Sequence, residues 1–241
     1  MLLTGWFFIM MGRKEECRLQ FRHEVKHEIS NPDLRILRQR LNAVMSPDSH
    51  ANDGRYEVRS LYFDNPDDKA LREKLDGVSI REKNRIRFYN NDPSVIYLER
   101  KFKHDGLGHK DSALLTVEQA QKIADGEIGW MAESTDGVLL GFYARHRSEG
   151  LAAKVIVDYT REPFVFGPGN VRVTLDYNIR TALRSTDFLN PRCTTIPVPG
   201  SPCILEVKWD NFLPDVIRGA VQLGDRHSTA YSKYAASRMY D

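Results

Sequence analysis

Apolar and polar residues alternate along seven stretches of the chain, which is the pattern typical of β-strands. Because the side chains of a strand point alternately to opposite faces, each stretch has one apolar face and one polar face. The predicted strands are residues 20–29, 55–64, 78–90, 94–103, 154–166, 170–180 and 203–210. Loops are expected at 46–54, at 104–111 and at 187–202, and the last of these contains four prolines.

Between these strands, apolar residues recur at the three- and four-residue spacing of helices. Asn31-Pro32-Asp33 provides a helix start, and the apolar residues Leu34, Leu37, Leu41 and Val44 follow it. Further helices are expected after Asn65-Pro66-Asp67-Asp68, from Thr116 to Gly126, over 128–148 and over 228–239. This order predicts an α+β fold in which helices pack on a mostly antiparallel sheet.

The polar faces of five predicted strands carry mainly charged residues. In residues 80–89, the alternating charged residues are Arg81, Lys83, Arg85 and Arg87. The charged residues of the other four faces are Arg22, Glu24, Lys26 and Glu28; Glu99, Lys101 and Lys103; Arg172 and Asp176; and Glu206, Lys208 and Asp210. One such face is ordinarily exposed to solvent. Five faces with neighbouring Arg and Lys residues are destabilising unless an anion lies between the cations.

The apolar faces are suited to packing beneath the helices, and the charged faces would then converge on the inside of the sheet. A closed antiparallel barrel of about eight strands has room inside for side chains and one narrow ligand. An interior with many cations and a few carboxylates suits a triphosphate, with Mg²⁺ or Mn²⁺ held on the carboxylates. The prediction is therefore a closed β-barrel that forms a charged tunnel, with helices packed outside.

Composition and charge exclude several classes of protein. The chain has 241 residues and a net charge of +2, which gives no indication of a nucleic-acid or membrane partner. An enclosed tunnel would also exclude a nucleic-acid duplex. The three cysteines, Cys17, Cys193 and Cys203, lack CxxC spacing and indicate a reducing, cytoplasmic setting rather than a disulfide framework or a zinc site.

The N-terminal segment is apolar, but it is too short to span a bilayer, and no later stretch approaches the ~18 consecutive apolar residues of a spanning helix. Because Met10 or Met11 could be the true start, residues 1–15 are interpreted as an extension that is either not native or disordered. Residues 16–241 are predicted to form a single domain.

Eight short motifs follow one another along residues 20–235. They are Arg22-His-Glu-Val-Lys26, Ser60-Leu-Tyr-Phe-Asp64, Arg85-Ile-Arg87, Leu98-Glu-Arg-Lys101, Asp158-Tyr-Thr-Arg161, Val171-Arg-Val-Thr-Leu-Asp176, Leu205-Glu-Val-Lys208 and Ser232-Lys-Tyr234. In this order they resemble the polyphosphate polymerase (VTC) domain of the triphosphate tunnel metalloenzyme (CYTH-like) superfamily. Each motif alone is weak, whereas eight in order over nearly the whole chain form a specific signal.

The resemblance implies roles for residues of the charged faces. The cations expected to hold nucleotide phosphates and the product chain are Lys26, Arg85, Arg87, Lys101, Arg172, Lys208 and Lys233. Further expected phosphate contacts are Arg22, Lys110, Arg161 and Arg180. Glu206 is expected to bind the metal, with Glu24, Glu28 and Glu99 as additional candidates. Tyr62 is a candidate for stacking on the adenine base.

The first strand departs from the triphosphatase branch of the superfamily, which carries Glu-x-Glu-x-Lys there. This chain has Arg22-x-Glu24-x-Lys26, so one carboxylate needed for hydrolysis is replaced by a cation that suits a longer polyanion. The resemblance thus implies a polymerase that transfers the γ-phosphoryl group of ATP to a growing inorganic polyphosphate chain and releases ADP. It also implies Mn²⁺ or Mg²⁺ as the cofactor.

Two alternatives stay open beside the polymerase. In a tripolyphosphatase or nucleoside triphosphatase, water would replace the phosphate acceptor. In a non-catalytic module, the same tunnel would bind polyphosphate or inositol polyphosphates without turnover. Since members of the family often work beside membrane components, the resemblance also implies a membrane-protein partner that this chain does not encode.

Overall fold

The structure is a computed structural model that describes residues 22–224 and 228–240. The expectations about residues 1–15 and about Cys17 lie outside the described residues. Within these residues, no helix combines the length and the apolar character that crossing a membrane requires. Cys193 and Cys203 are both free thiols.

Ten strands of the described residues join in one antiparallel sheet. They are β1 (His23–Ile29), β2 (Ser46–Pro47), β3 (Tyr56–Asp64), β4 (Arg81–Tyr89), β5 (Asp92–His104), β6 (Leu107–Leu115), β7 (Ala152–Phe166), β8 (Val171–Thr181), β9 (Ile196–Pro197) and β10 (Cys203–Trp209). Eight of them follow the order β1-β10-β8-β7-β3-β4-β5-β6, while the short β2 pairs with β7 and β9 pairs with β8. The predicted antiparallel sheet is thus confirmed.

The sheet curls into an open half-barrel, so the prediction of a closed barrel is wrong. Among the described residues, the two edges of the sheet are joined by one isolated bridge, between Arg22, which precedes β1, and Gly108 of β6. In this bridge each backbone N–H donates to the other residue's carbonyl at 3.1 Å. No ladder of hydrogen bonds joins β1 to β6 in the described residues.

β6 is the long strand that the sequence pattern did not predict. It follows β5 through a two-residue turn at Asp105 and Gly106, whose φ angles are 47° and 85°. Positive φ at both positions is the geometry of the type I′ turn, which matches the twist of two paired strands. Residues 104–111 contain two glycines and therefore suggest a loop, whereas they form a tight hairpin.

Six α-helices lie within the described residues. They are α1 (Asn31–Val44), α2 (Lys69–Leu75), α3 (Val117–Ala124), α4 (Gly137–Glu149), α5 (Asp215–Val221) and α6 (Lys233–Ser237). α1 begins with a capping box in which Ser30 and Asp33 each accept a hydrogen bond from the other's backbone N–H. Thr116 and Gln119 form the same arrangement at the start of α3.

Two predicted helices are shorter than expected, and one helix was missed. The helix expected over 128–148 begins at Gly137, because the Asp136 side chain caps it there, and residues 129–133 form a 3₁₀ turn. The helix expected over 228–239 is limited to α6. α5 was not predicted, because seven residues are too few to show a helical period.

Helices cover the apolar, convex face of the sheet in two cores. The first core lies between the sheet and helices α1 and α5, and its residues include Leu37, Leu41, Val173, Leu205 and Ile217. The second lies between the sheet and helices α3 and α4, and its residues include Ile86, Leu98, Ile123 and Phe142. A third cluster, which includes Tyr62, Tyr159 and Tyr234, joins α6 to β3 and β7. Because alternate residues face opposite sides, packing of these apolar residues directs the charged residues to the concave side.

Candidate functional site

The concave side of the half-barrel encloses a cavity of about 910 Å³. The charged faces of the strands converge on it, and Lys233 of α6 joins them. Every cation that the resemblance implied lines this cavity except Arg180. The residues concerned are Arg22, Lys26, Arg85, Arg87, Lys101, Lys110, Arg161, Arg172, Lys208 and Lys233.

The structure does not bring Arg180 to the cavity. Asn178 has a φ of 51°, and the pairing of β7 with β8 shifts at this point, so that β8 contains an extra residue. Such a bulge reverses which side chains point inward. Ile179 therefore packs in the third core, while Arg180 donates from Nε to the Thr195 hydroxyl at 2.9 Å and also contacts the Thr195 carbonyl.

Two metal-ligand candidates also lie elsewhere. Glu28 is exposed at the end of β1 and does not line the cavity. Glu99 is buried behind the cavity wall, where it contacts Arg85 at 2.8 Å, Arg87 at 2.6 Å and Lys110 at 3.1 Å. Burial raises the pKa of Glu99, but the charges of the three cations outweigh burial and hold its pKa well below the ordinary value. Glu99 is thus the ionised anchor of three cations.

Glu24 and Glu206 are the carboxylates that line the cavity. Glu24 lies 2.7 Å from Lys101, 3.2 Å from Lys26 and 3.6 Å from Lys208. Glu206 lies 2.6 Å from Lys208 and 3.7 Å from Lys26. Burial raises the pKa of both carboxyl groups, but the charges of the surrounding lysines lower it by more. The pKa of each group is therefore below its ordinary value, and both groups are ionised.

Asp176 is a third anchor, to which the resemblance gave no role. It is fully buried and receives two hydrogen bonds from Arg161, at 2.6 and 2.7 Å, and one from Lys233 at 2.5 Å. Burial raises the pKa of Asp176, and the charges of Arg161 and Lys233 lower it below the ordinary value. Its place in the alternation of residues 170–180 was the signal that could have identified it.

Acid is expected to unfold the protein because of these anchors. Each carboxyl has a folded-state pKa below its unfolded value, so its contribution to stability is present above that unfolded value and is lost as the pH falls through the folded pKa. The melting temperature should therefore decline once the pH drops below about 4.5, the ordinary value for glutamate. An Asp176→Asn variant should be less stable than the wild type at pH 7, and its melting temperature should fall by less than that of the wild type on acidification. A parallel decline in both proteins would contradict this assignment.

Two arginines that line the cavity, Arg22 and Arg172, are held by different hydrogen-bonding and ion-pairing partners. Arg22 donates from Nε to Asp210 at 2.6 Å and contacts the Asn170 carbonyl. Arg172 donates to the Tyr56 hydroxyl at 2.8 Å and lies 2.9 Å from Asp48. Both side chains are partly exposed, so they remain available to a ligand entering from solvent.

Tyr62 lines the cavity, and its role in stacking on adenine stays a prediction. Its ring is buried and stacks on Tyr234, with 5.3 Å between the ring centroids. Its hydroxyl accepts a hydrogen bond from Arg85 at 2.9 Å. Tyr62 therefore positions Arg85 and belongs to the third core.

Four further cations, to which the resemblance gave no role, also line the cavity. Lys74, Arg81, Lys83 and Lys103 all lie there. Three of them, Arg81, Lys83 and Lys103, are on charged faces of predicted strands, so the alternation contained the signal, but the resembling motifs did not include them. Lys74 comes from α2, and nothing in the local sequence indicates that this helix lies near the cavity.

The carboxylates of the cavity fit a divalent metal only in combination with a phosphate ligand. In the described part of the chain, no three His, Cys, Asp or Glu side chains are grouped so as to hold a metal ion. Mg²⁺ usually binds one or two carboxylates together with waters and substrate phosphates. Glu206 and Glu24 are ionised, line the cavity and supply that donor set. These two residues would hold the metal.

The sequence profile of the VTC domain matches residues 21–240. The chain belongs to the VTC domain family. No curated protein sequence matches the chain. The resemblance drawn from the eight motifs is therefore confirmed at the level of the family.

Solved structures are similar to this VTC domain at low sequence identity, and the first of those described here shares its fold. A Hippeastrum protein named as an adenylyl cyclase, with a dominant triphosphatase activity, matches with a TM-score of 0.56 and 15% identity over 90% of this chain and 95% of that chain. A Bacillus halodurans protein named as an adenylate cyclase has a TM-score of 0.47 and 14% identity, over 78% and 80% of the two chains. The PH1012 protein of Pyrococcus horikoshii has a TM-score of 0.46 and 13% identity, over 88% and 96%.

Proposed function

We propose that this VTC domain is a metal-dependent polyphosphate polymerase, which transfers the γ-phosphoryl group of ATP to an inorganic polyphosphate chain. The observation that carries the proposal is the row of cations on β4. Arg81, Lys83, Arg85 and Arg87 all line the cavity at two-residue intervals. At about 3.3 Å per residue the row extends over about 20 Å, which suits a linear anion with charges along its length.

The cations of the cavity bind and orient the two phosphate substrates. The guanidinium groups of Arg85, Arg87 and Arg161 provide paired donors for phosphate oxygens, and Lys26, Lys101 and Lys208 supply point charges. Glu99, Glu24 and Asp176 hold these cations in position before the substrate binds. This arrangement lowers the cost of ordering the cations when the substrate binds.

The transfer step requires little covalent chemistry from the protein. A terminal oxygen of the polyphosphate attacks the γ-phosphorus, a new P–O bond forms, and the bond to the β–γ bridging oxygen breaks to release ADP. The attacking oxygen is already ionised, so no general base is needed. Positioning and charge neutralisation supply most of the catalysis in phosphoryl transfer. A divalent metal on Glu206 and Glu24 would add further charge neutralisation on the phosphates.

Hydrolysis is the alternative with independent support, because the Hippeastrum protein of the same fold has a dominant triphosphatase activity. In that case water would accept the γ-phosphoryl group. The position of Arg22 in this chain favours the polymerase, since Arg22 lines the cavity where the triphosphatase pattern has a carboxylate.

The free thiols of Cys193 and Cys203 are consistent with the reducing, cytoplasmic setting that we also propose.

The test combines ADP release with an assay of chain length. The protein is incubated with ATP, Mg²⁺ or Mn²⁺ and a short polyphosphate primer, and the products are separated on a gel. ADP together with a growing chain is the expected result. ADP with free phosphate alone would replace the proposal with a triphosphatase, and tight polyphosphate binding without ADP release would leave a binding module.

A further inference from the structure

Lys83 is a half-buried cation of the cavity whose partners differ from those of most of its neighbours. Most of the other cations that line the cavity are held by Glu24, Glu99, Glu206 or Asp176. The Lys83 ammonium group, in contrast, donates to the Ser232 hydroxyl at 2.8 Å, and the ring of Tyr234 lies 5.5 Å away. Over residues 22–224 and 228–240, no carboxylate lies within ion-pairing distance of Lys83.

The charges that act most strongly on Lys83 are those of other cations. They are Lys26 of β1, Lys101 of β5, Lys74 of α2 and Arg81 of β4 itself. Burial and the charges of these neighbours lower the pKa of Lys83 to about 7. In such surroundings the charged form of a lysine is destabilised in the empty protein. An anion placed beside the lysine stabilises the charged form.

Lys74 and Arg81 extend the same region. Burial and the charges of Arg81 and Lys26 lower the pKa of Lys74. The Arg81 guanidinium donates to the Val78 carbonyl at 2.5 Å. In the described ranges neither residue has a carboxylate partner, so Lys74, Arg81 and Lys83 form a cluster whose positive charge is not compensated. We refer to these three residues as the open cation cluster.

We propose that the open cation cluster is a distinct anion subsite, which binds phosphates of a linear polyphosphate beyond those held at Arg85 and Arg87. Lys83 is two residues from Arg85 along β4, and Arg81 is four residues from it, which corresponds to about 7 and 13 Å. An anion bound at Arg85 and Arg87 must therefore extend along the strand to reach the cluster. The proposal rests on the proposed function, because it takes a linear polyphosphate as the ligand.

The subsite makes the cavity selective for chain length. A short anion gains only the contacts at Arg85 and Arg87, whereas a longer chain also supplies the counter-charge that the cluster lacks. One charge-assisted hydrogen bond contributes about 1.5–3 kcal/mol, which corresponds to at least tenfold in affinity. The affinity for long polyphosphate should accordingly exceed that for tripolyphosphate, and Lys83 should account for much of the difference.

Calorimetric titration without divalent metal tests this subsite. Tripolyphosphate and a long-chain polyphosphate are titrated into the wild-type protein, Lys83→Met and Lys83→Arg. Lys122→Met serves as the control, because Lys122 is an exposed lysine of α3, far from the cavity wall. Lys83→Met should weaken long-chain binding by about tenfold or more and tripolyphosphate binding by less than about threefold. Lys83→Arg and Lys122→Met should bind both anions as the wild type does.

Proton uptake gives a second readout that a merely structural role would not change. At pH 8 much of Lys83 is neutral in the empty protein, because its pKa is about 7. A bound phosphate raises this pKa, so long-chain binding should take up more protons than tripolyphosphate binding. Titration in buffers of different ionisation enthalpy measures this difference. Both Lys83→Met and Lys83→Arg should reduce this difference, since neither side chain titrates near pH 8; Lys74, whose pKa is also lowered, accounts for the remainder.

The outcomes separate the subsite from the proposed function. If the wild type binds both anions and Lys83→Met weakens them equally or not at all, the subsite is rejected while polyphosphate binding stands. If Lys83→Arg loses long-chain affinity as Lys83→Met does, the positive charge is not what matters and the subsite is again rejected. If the wild type binds neither anion, the proposed function itself fails.

Discussion

Glu206→Gln is expected to reduce metal-dependent ADP release from ATP by about 100-fold or more, while metal-free tripolyphosphate binding remains within about threefold of the wild type. Groups that stabilise transition-state charge typically contribute a factor of this size. Glu206 lines the cavity as an ionised carboxylate, and the substitution removes its charge with little change in shape. Metal-free binding persists because Lys26, Lys208 and Arg161, which contact Glu206, remain and lose an acidic competitor for the phosphates.

The metal dependence of binding distinguishes a ligand role from a structural one. In the wild type, Mg²⁺ or Mn²⁺ should increase the affinity for tripolyphosphate, and in Glu206→Gln this increase should disappear. Glu162→Gln is the matched control, because Glu162 is also a buried glutamate, held by Arg38 at 2.7 Å, but does not line the cavity. Turnover in Glu206→Gln equal to that of Glu162→Gln would rule out the assignment of Glu206 to the metal.

The sheet and the faces of its strands could be predicted from sequence because both depend on local periodicity. Alternation in residues 80–89 assigned Arg85 and Arg87 to one face and Ile86 and Phe88 to the other, and the structure has this arrangement. The closure of the barrel could not be predicted, since it depends on twist summed over eight strands. One extra residue near Asn178 was enough to turn Arg180 away from the cavity.

The roles of the carboxylates were harder to infer than their positions. Glu24, Glu99 and Glu206 all lie on charged strand faces, and the sequence does not distinguish a metal ligand from a counter-ion for arginine. The distinction depends on depth: Glu99 lies behind the wall among three cations, whereas Glu24 and Glu206 line the cavity. Depth is set by packing between distant segments. The same limit explains why Lys74 of α2 was not predicted at the site.

Glu99→Ala is expected to lower the free energy of unfolding by about 3–5 kcal/mol, because it leaves the buried Arg87 and the half-buried Arg85 without their shared anion. Arg85 and Arg87 would then lie close together in the cavity wall with only repulsion between them. For a chain of this size, each kcal/mol shifts the melting temperature by about 2–4 °C, so the decrease should be at least about 6 °C. Glu149→Ala is the control, because the exposed pair of Glu149 with Lys69 should contribute about 1 kcal/mol or less.

Tripolyphosphate should restore part of the stability that Glu99→Ala loses. A bound phosphate can supply the negative charge that Arg85, Arg87 and Lys110 no longer receive from Glu99. A ligand at 100 times its dissociation constant adds about 2.7 kcal/mol to the folded state. At one fixed ligand concentration, the rise in melting temperature should therefore be larger in Glu99→Ala than in the wild type, because the freed cations bind the anion more tightly. An equal or smaller rise would mean that these cations do not contact the ligand and that Glu99 supports only the fold.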